Sequence, residues 1–157
     1  MDDRKTLHIP KIENGIVIDH IPSGLGTPLL DLLRTYSELK ERVFSVGLNY
    51  TSERLGRKDM VKIGVHELPQ RALQEISIIA PGVSIKRITD YEVDKRYTLD
   101  MPESITDLVK CKNPNCITNS ESKAETRFTC IEHDLALYRC GHCERVFELD
   151  KLETTLA

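Results

Sequence analysis

Two short cysteine pairs near the end of the chain form the strongest chemical pattern in the sequence. Cys111-Lys-Asn-Pro-Asn-Cys116 makes one turn and Cys140-Gly-His-Cys143 makes the other, with residues 117–139 between them. Each turn directs two thiolates at one point, and the insert brings the second pair opposite the first, as a tetrahedral metal site requires. Four thiolates favour zinc or iron over harder cations. The pattern predicts a structural metal, because four protein ligands leave no open position for catalysis.

Unliganded or disulfide-bonded pairs are the less favoured alternative for these cysteines. Residues 1–5 lack the apolar run of a secretory signal, and disulfides are rare in the cytosol. Cys130, in a strand-like stretch, is expected to be a small buried residue rather than a ligand. His133 and His142 are not expected to bind metal, and the His142 side chain, between the two cysteines of its turn, should point away from the metal.

A second set of chemistry-bearing residues lies in the first hundred positions. Asp19 and His20 interrupt an otherwise apolar strand end. A carboxylate there can accept hydrogen bonds from a base or ribose, and the histidine can reach a phosphate. Other predicted strands carry Lys62, Lys86 and Arg96. Converging cations would offset the charge of a triphosphate, whereas the alternative is a solvated strand end with separate surface charges.

The elements that must position these residues alternate between strand and helix patterns. One helix is predicted to be capped by Thr27 with Pro28 in its first turn, and a second to begin at Pro69. Segments rich in isoleucine and valine predict strands over residues 9–21, 42–50, 59–65 and 83–93. The order βαββαβ is that of the ferredoxin-like fold, an α+β architecture with two helices on one face of an antiparallel sheet.

Local signals add detail to this fold. The turn dipeptide Asn14-Gly15 is expected to have strand residues on both sides. The last strand alternates imperfectly and is expected to carry a bulge near Arg87. The polar segment 51–58 is predicted to link the second and third strands, so that its cations are solvated loop charges: Arg54, Arg57 and Lys58.

Composition limits the function classes. Of the 157 residues, 39% are hydrophobic and 30% charged, as in a globular protein, and a net charge of −3 gives no overall attraction to nucleic acid. No segment approaches the roughly 20 apolar residues of a membrane span. A cytoplasmic location and the absence of a membrane partner are expected. Without a Walker A sequence or a nucleophile–base pair, catalysis is not expected.

The chain is predicted to have two domains, residues 1–98 and 99–157. The charged segment 94–104 contains a proline and suits a linker between them. A second domain of this size buries little apolar surface alone, so the bound metal is expected to supply much of its stability.

Three sequence blocks and the cysteine turns together resemble one protein family. The blocks are residues 15–22, residues 56–63, and Ala80-Pro81 followed by Arg87-Ile88 and Tyr91-Glu92-Val93. With the Cys-x4-Cys and Cys-x2-Cys turns in the same order, nearly the whole chain is similar to the regulatory chains of aspartate carbamoyltransferase. The resemblance implies a ferredoxin-like allosteric domain followed by a small zinc domain of the rubredoxin-like or zinc-ribbon type.

The resemblance also implies the partners of the chain. A regulatory chain is a non-catalytic subunit in pyrimidine biosynthesis that dimerises through its first domain and contacts catalytic trimers through its second. The implied assembly holds two catalytic trimers by three regulatory dimers. The implied effectors are nucleoside triphosphates, commonly CTP as inhibitor and ATP as its antagonist.

Binding residues follow from the same resemblance. It implies that Asp19, Ile12 and the backbone near Tyr91 read the base and ribose, while His20 and Lys62 face phosphates. The implied Zn²⁺ ligands are Cys111, Cys116, Cys140 and Cys143, and contacts with the catalytic chain are implied for Asn113, Asn115 and Glu144. The whole nucleotide set is Ile12, Val17, Asp19, His20, Lys62, Ile88, Tyr91 and Val93, to which we add the cations Lys86 and Arg96.

Four positions depart from residues common in the family. Pro10 and Lys11 replace a glutamate and an alanine, Lys86 replaces an asparagine and Arg96 a lysine. The arginine keeps the charge but changes its geometry. The extra lysine is expected to tighten phosphate binding or to relax discrimination between bases.

Two other functions compete with a regulatory chain. A zinc-ribbon nucleic-acid-binding protein is disfavoured by the net charge of −3, by 5% aromatic residues and by the lack of a basic stripe around the cysteines. A free-standing small-molecule sensor would explain the first domain but would leave the metal domain without a task.

Overall fold

The structure is a computed structural model that describes residues 11–155. The predicted strand residue Ile9 and the family departure at Pro10 lie outside the described residues. The helices and strands are, in chain order, β1 (Gly15–Pro22), α1 (Gly26–Arg34), β2 (Phe44–Ser52), β3 (Gly56–Ile63), α2 (Gln70–Ile79), β4 (Ser84–Thr89), β5 (Glu92–Thr98), β6 (Ser104–Thr106), β7 (Val109–Lys110), β8 (Arg127–Glu132), β9 (Leu137–Cys140), β10 (Val146–Glu148) and β11 (Glu153–Thr154).

The described residues divide into two compact units. The first contains the residues up to 76 together with residues 80–100, and the second contains residues 77–79 and those from 101 onward. The domain ranges 1–98 and 99–157 stay a prediction. No helix among residues 11–155 combines the length and the apolarity that a membrane crossing needs.

The first unit contains one antiparallel sheet with strand order β2-β3-β1-β4-β5. Its first four strands and two helices follow the predicted βαββαβ order, so the ferredoxin-like fold is confirmed. Alternate residues of the central strand β1 face the core, where Ile16 and Ile18 pair with Ile63 and Val61 of β3. The helices bring Leu29, Leu33 and Ile76 into the same buried core.

The segment predicted as one final strand is instead a hairpin of β4 and β5. Asp90 and Tyr91 form its turn with φ of 50° and 67°, and Thr89 pairs with Glu92 across it. Two successive left-handed residues are typical of the tight turns that join antiparallel strands. Neither residue here is glycine, so the sequence carried no clear signal for this turn. The irregularity expected near Arg87 is present, because the β4–β5 pairing shifts between Arg87 and Ile88.

The polar segment 51–58 is also a hairpin and not a solvated link. Ser52 pairs with Gly56, which has a φ of 78°, so only residues 53–55 lie outside the strands. Lys58 therefore lies on β3, where it pairs with Tyr50 on one side and Pro22 on the other. The prediction that it is a loop charge was wrong.

Two other local predictions need correction. Helix α1 begins at Gly26, one residue before the predicted cap, and no side chain caps it. Residues 11–14 are not in a strand, so the strand expected before Asn14-Gly15 is absent from the described residues. The second helix follows Pro69 as predicted.

The second unit consists of short strands around a small core. A four-stranded sheet has the order β10-β9-β8-β6, and β7 pairs with β11. Phe128 and Tyr138 are fully buried at its centre, and the Tyr138 hydroxyl donates a hydrogen bond to the carbonyl oxygen of Pro102. The buried sulfurs of Cys111, Cys116 and Cys140 belong to the same core, so the cysteine turns and the strands pack together.

Candidate metal centre and anion-binding face

The four cysteines of the two turns converge in the second unit. The Sγ atoms of Cys111 and Cys143 are 3.7 Å apart, those of Cys116 and Cys140 are 3.8 Å apart, and all four lie within 4.8 Å of one another. Tetrahedral coordination with metal–sulfur bonds of about 2.3 Å separates ligands by about 3.8 Å. The spacing and the donor set therefore fit one four-coordinate thiophilic metal.

Hydrogen bonds around the sulfurs orient the thiol groups. Thr118 donates its hydroxyl to the Sγ of Cys116 at 3.2 Å, and the backbone N–H of His142 donates to the Sγ of Cys140 at 3.4 Å. The Asn119 amide donates to the carbonyl oxygens of Cys111 and Asn113 at 2.8 and 2.7 Å. Such outer contacts hold the first turn in shape for its ligands.

Burial and hydrogen bonds shift the pKa values of the four thiols in opposite directions. Burial raises the pKa of Cys111 and that of Cys140. Burial also acts to raise the pKa of Cys116, but hydrogen bonds from Thr118 outweigh it and leave that pKa below its ordinary value. Hydrogen bonds, of which that from Asn113 is the largest, likewise overcome burial and lower the pKa of Cys143 to about 7. Burial thus opposes ionisation of these thiols and hydrogen bonds favour it, and a metal cation would favour the thiolate form of all four.

The other ligand candidates of this unit lie apart from the sulfur cluster. Cys130 is half-buried on β8, opposite Tyr138, rather than fully buried as expected. The His142 ring donates from Nε2 to the carbonyl oxygen of Glu125 at 2.8 Å, and His133 is exposed in the β8–β9 turn. The four Sγ atoms form the cluster without either imidazole.

In the first unit, the predicted nucleotide residues gather on the sheet face opposite the core. Val17 pairs with Lys62 on one side and Lys86 on the other, and Lys86 pairs with Arg96. Directly paired residues of antiparallel strands share a face, so these four side chains form one row across four strands. Val17 is only 7% exposed at the centre of the row, and Arg96 is exposed at its edge.

A bulge in β1 brings His20 to the same face as Asp19. The β1–β3 pairing shifts between Ile18 and Ile21, and His20 adopts a φ of 58°. Its backbone N–H donates to the Asp19 carboxylate at 2.7 Å, and its ring Nδ1 shares a 3.0 Å hydrogen bond with the hydroxyl of Ser84. Ser84 pairs directly with Asp19 across the β1–β4 ladder, so sequence neighbours that normally point to opposite faces act together here.

Asp19 is the centre of a cluster of lysines. Its carboxylate, 4% exposed as a residue, lies 2.9 Å from the Nζ of Lys58 and 3.1 Å from the Nζ of Lys86. Sequence reasoning missed Lys58 and Ser84. The alternation of Lys58, Met60 and Lys62 was the available signal for Lys58, once 56–63 is taken as strand.

Charge and burial shift the pKa values in this cluster. Burial acts to raise the pKa of Asp19, but hydrogen bonds from Lys58, His20 and Lys86 lower it below its ordinary value. Burial lowers the pKa of His20; the Asp19 carboxylate acts to raise that pKa, and the surrounding cations act to lower it. Burial also lowers the pKa of Lys62, with Asp19 acting in the other direction. The carboxylate is therefore charged at neutral pH and surrounded by an excess of lysines.

The apolar members of the predicted set lie toward the other end of the same face. Gly15 pairs with Ile88, and Ile88 pairs with Val93 across the hairpin. The Tyr91 N–H donates to the Glu13 carbonyl oxygen at 2.9 Å and so ties the hairpin turn to the segment of Ile12. Tyr91 and Val93 are 58% and 47% exposed, which leaves apolar surface beside the charged row.

The residues implied at a protein interface lie on the cysteine turns. Asn113 is buried and accepts a hydrogen bond from the Asn115 N–H at 3.1 Å. Glu144 is exposed directly after Cys143, with a φ of 64°. The interface role of Asn113, Asn115 and Glu144 stays a prediction.

Comparisons with known proteins cover nearly the whole chain. The family description "Aspartate carbamoyltransferase regulatory chain, allosteric domain" matches residues 7–100, and "Aspartate carbamoyltransferase regulatory chain, metal binding domain" matches residues 103–153. A relative from Halobacterium salinarum is 37% identical over 96% of this chain and 95% of its own length. One from Thermoplasma acidophilum is 37% identical over 90% of this chain and 93% of its own length. One from Saccharolobus islandicus is 40% identical over 90% and 88%, respectively.

All three relatives are named as aspartate carbamoyltransferase regulatory chains. A regulatory chain is a non-catalytic subunit, as the lack of a catalytic motif predicted. The two matched domains correspond to the sheet that carries the lysine cluster and to the unit that carries the four cysteines. The chain therefore belongs to the family of aspartate carbamoyltransferase regulatory chains.

Proposed function

We propose that the chain senses nucleoside triphosphates and passes feedback control to the catalytic trimers of aspartate carbamoyltransferase, in pyrimidine biosynthesis in the cytoplasm. The observation that carries the proposal is the lysine cluster around Asp19, next to an exposed apolar surface on the same sheet face. A nucleoside triphosphate is divided in a matching way, with anionic phosphates at one end and the flat face of a base at the other. CTP and ATP are the proposed effectors.

In this proposal the charged end of the face holds the phosphates. Lys58, Lys62 and His20 surround the triphosphate, and Lys86 is close enough to Asp19 to exchange a carboxylate partner for a phosphate one. Charge-assisted hydrogen bonds are about twice as strong as neutral ones, so several together support binding in a partly desolvated cleft. Arg96 extends the row at its outer edge.

The apolar end then holds the base and the ribose. Ile12, Val17, Ile88 and Val93 provide apolar contacts, and backbone groups near Tyr91 provide hydrogen bonds. Asp19 accepts hydrogen bonds from the ribose or base once its lysines turn to the phosphates. Asp19 holds the phosphate-binding lysines and also accepts hydrogen bonds from the ribose or base. The site should therefore bind a nucleotide more tightly than free polyphosphate.

The four cysteines are proposed to bind one structural Zn²⁺. Their burial and mutual spacing support a closed tetrathiolate site, which zinc prefers. We assign the allosteric domain to residues 1–98 and the zinc domain to residues 99–157. In the assembled enzyme the first domain forms the regulatory dimer, and the second contacts a catalytic trimer through Asn113, Asn115 and Glu144.

Calorimetric titration of the zinc-loaded chain with CTP and ATP tests the nucleotide site. Lys58→Ala and Lys62→Ala are each expected to weaken binding by about tenfold, since each removes a charge from the phosphate end. Lys40→Ala is the matched control, because Lys40 is an exposed lysine after α1 and is expected to leave the affinity unchanged. A chain that binds neither nucleotide, or Lys58 and Lys62 variants that bind as tightly as the parent, would refute the proposal.

A further inference from the structure

Asp59, which follows Lys58 on β3, carries a buried carboxylate to which the nucleotide site assigns no role. Asp59 is 1% exposed, and both its oxygens accept backbone hydrogen bonds. Oδ2 accepts from Gly24 and Gly26, each at 2.9 Å, and Oδ1 accepts from Asn49 at 2.8 Å. A buried carboxylate that accepts three backbone N–H groups is a strong local constraint, because loss of any one bond would leave a buried polar group without its partner.

Two of these N–H groups, those of Gly24 and Asn49, belong to irregular backbone on either side of β3, and the third belongs to Gly26, the first residue of α1. Gly24 lies in the turn after β1 and has a φ of 99°. Asn49, with a φ of 64°, lies in a β2 bulge where the pairing with β3 shifts between Gly47 and Tyr50. A non-glycine residue in the left-handed region costs free energy and persists only where surrounding contacts hold it. Asp59 supplies such contacts to both segments at once.

The backbone of Asp59 adjoins the residues that define the charged end, whereas its side chain lies on the core side of the sheet. Its backbone pairs with Ile21, immediately after the bulge that carries Asp19 and His20, and its chain neighbour is Lys58. The β1 bulge is thus flanked by β3, with which β1 pairs, and is followed along the chain by a turn that Asp59 holds through Gly24. A shift of that turn would move the bulge, and with it the direction of the His20 side chain and the distance between Lys58 and Asp19.

We propose that Asp59 is a positioning residue for the phosphate end of the nucleotide site, acting through the turn after β1 and the β2 bulge rather than by touching the ligand. This inference rests on the proposed function, because it assigns a support to that same site. The neighbouring backbone leaves the carboxylate little room for another arrangement. A Cβ added at Gly26 would lie 2.7 Å from the Asp59 Cβ and 2.8 Å from its Oδ2.

The test compares Asp59→Asn with Glu75→Gln in the full zinc-loaded chain. Glu75 is a matched control: it is also a fully buried carboxylate of the first unit, and it accepts from the Tyr36 hydroxyl at 2.8 Å and from Arg71 at 3.0 Å. Both variants lose stability. Only Asp59→Asn is expected to lower the ratio of CTP to CMP affinity, by about tenfold, because it loosens the phosphate end more than the base end.

A second readout needs no nucleotide. The imidazole resonances of His20, assigned with a His20→Gln variant, are expected to shift in Asp59→Asn and to stay in place in Glu75→Gln. Gly26→Ala offers an independent route if Asp59→Asn fails to fold, since the new methyl displaces the intact carboxylate. Its matched control is Gly64→Ala, whose Cβ would meet Val43 at an ordinary 3.8 Å.

The outcomes separate the two claims. A parent chain that binds no CTP overturns the proposed function, and the His20 resonances then still decide whether Asp59 positions that residue. If the parent binds CTP but the Asp59 and Gly26 variants keep the parental CTP to CMP ratio and the parental His20 resonances, Asp59 has only a structural role and the inference falls. A lowered ratio together with shifted resonances supports it.

Discussion

At the scale of single residues, the nucleotide face uses one carboxylate to hold several cations in place. Asp19 pairs with Lys58 and Lys86, which would otherwise repel each other in a partly buried cluster. The pairing gathers the lysines around one carboxylate and leaves an excess of positive charge. An anionic ligand therefore meets cations that are already gathered, and pays less entropy for collecting them.

Lys86 is the residue of this cluster at which the resemblance to the family implies a departure, because asparagine is expected to be common there. Replacing it with the common asparagine removes one cation and one partner of Asp19. We expect Lys86→Asn to weaken CTP and ATP binding about threefold to tenfold, or to change the ratio of their affinities, since the charge lies between the phosphate and ribose positions. Calorimetric titration with both nucleotides measures this. Unchanged affinities for both would remove Lys86 from the site.

Proton uptake is expected to accompany nucleotide binding. Burial, together with the neighbouring cations, lowers the pKa of His20 in the free chain, so that this imidazole is neutral at neutral pH. A triphosphate beside it adds negative charge and raises that pKa, so the complex binds more protons than the free chain does. CTP affinity should therefore increase as the pH falls from about 8 to about 6.

Titrations in two buffers of different ionisation enthalpy measure this proton uptake. The nucleotide phosphates also titrate, so His20→Gln serves as the control for their contribution. The uptake attributable to the protein should disappear in that variant. An equal uptake in parent and variant would contradict a role for His20 beside the phosphates.

At the scale of elements, bulges and tight turns decide which side chains meet. The β1 bulge brings Asp19 and His20 to one face, and the β4–β5 hairpin brings Val93 next to Ile88. Both depend on residues with positive φ that are not glycine. Such positions cost free energy, and several of them around one site indicate that the site's shape is maintained at the expense of stability.

The hairpin turn offers a direct measure of that cost. Tyr91 has a φ of 67° and is 58% exposed, so replacing it with glycine relieves the backbone and removes little packing. Tyr91→Gly is expected to raise the free energy of unfolding by about 0.5–1 kcal/mol in urea denaturation. Glu92→Gly, one position later in regular strand, is the control and is expected to lower it by a similar amount. A loss of stability in Tyr91→Gly would show that its side chain contributes more than the turn costs.

Sequence patterns predicted the elements better than their connections. Segments rich in isoleucine and valine located β1, β3 and β4, and apolar residues at helical spacing located both helices, because burial on one face imposes such patterns. The two hairpins were missed for one shared reason. Their turns use Asp90-Tyr91 and Glu53-Arg54-Leu55, which lack the usual turn dipeptides, and tertiary pairing overrides such weak local preferences.

The missed hairpin also explains the error at the site. Lys58 was taken as a solvated charge because its segment was taken as a loop, and strand pairing then placed it beside Asp19. The cysteine cluster shows the opposite case. Two close pairs with a fixed spacing specify convergence almost by themselves, so the four sulfurs were predictable without knowledge of the strands.

At the scale of the whole molecule, the proposed function is a linkage between two ligands on different chains. A nucleotide can change substrate affinity only if the two quaternary states bind it unequally, and the substrate must then change nucleotide affinity by the same factor. In the proposed assembly the zinc domain transmits this difference, since it contacts the catalytic chain. Loss of the metal should therefore uncouple the enzyme.

Metal removal is expected to separate regulation from catalysis. Stripping the metal from the assembled enzyme should unfold the second unit, because structural zinc contributes about 10–16 kcal/mol in small domains. The released catalytic trimers should stay active and become insensitive to nucleotides. Size-exclusion chromatography with metal analysis and activity assays follows each step. Acid should act similarly, since protonation of the thiolates competes with the metal as pH falls. An intact complex shown to lack metal would contradict this expectation.

The most direct test of regulation is reconstitution with the catalytic trimer of the same organism. The zinc-loaded chain and the trimer are mixed, and aspartate saturation is recorded with and without CTP and ATP. We predict a larger complex whose saturation curve shifts with nucleotide, and whose shift is lost in Lys62→Ala but retained in Lys40→Ala. A complex whose curve ignores both nucleotides, or a metal-loaded chain that forms no complex, would contradict the account.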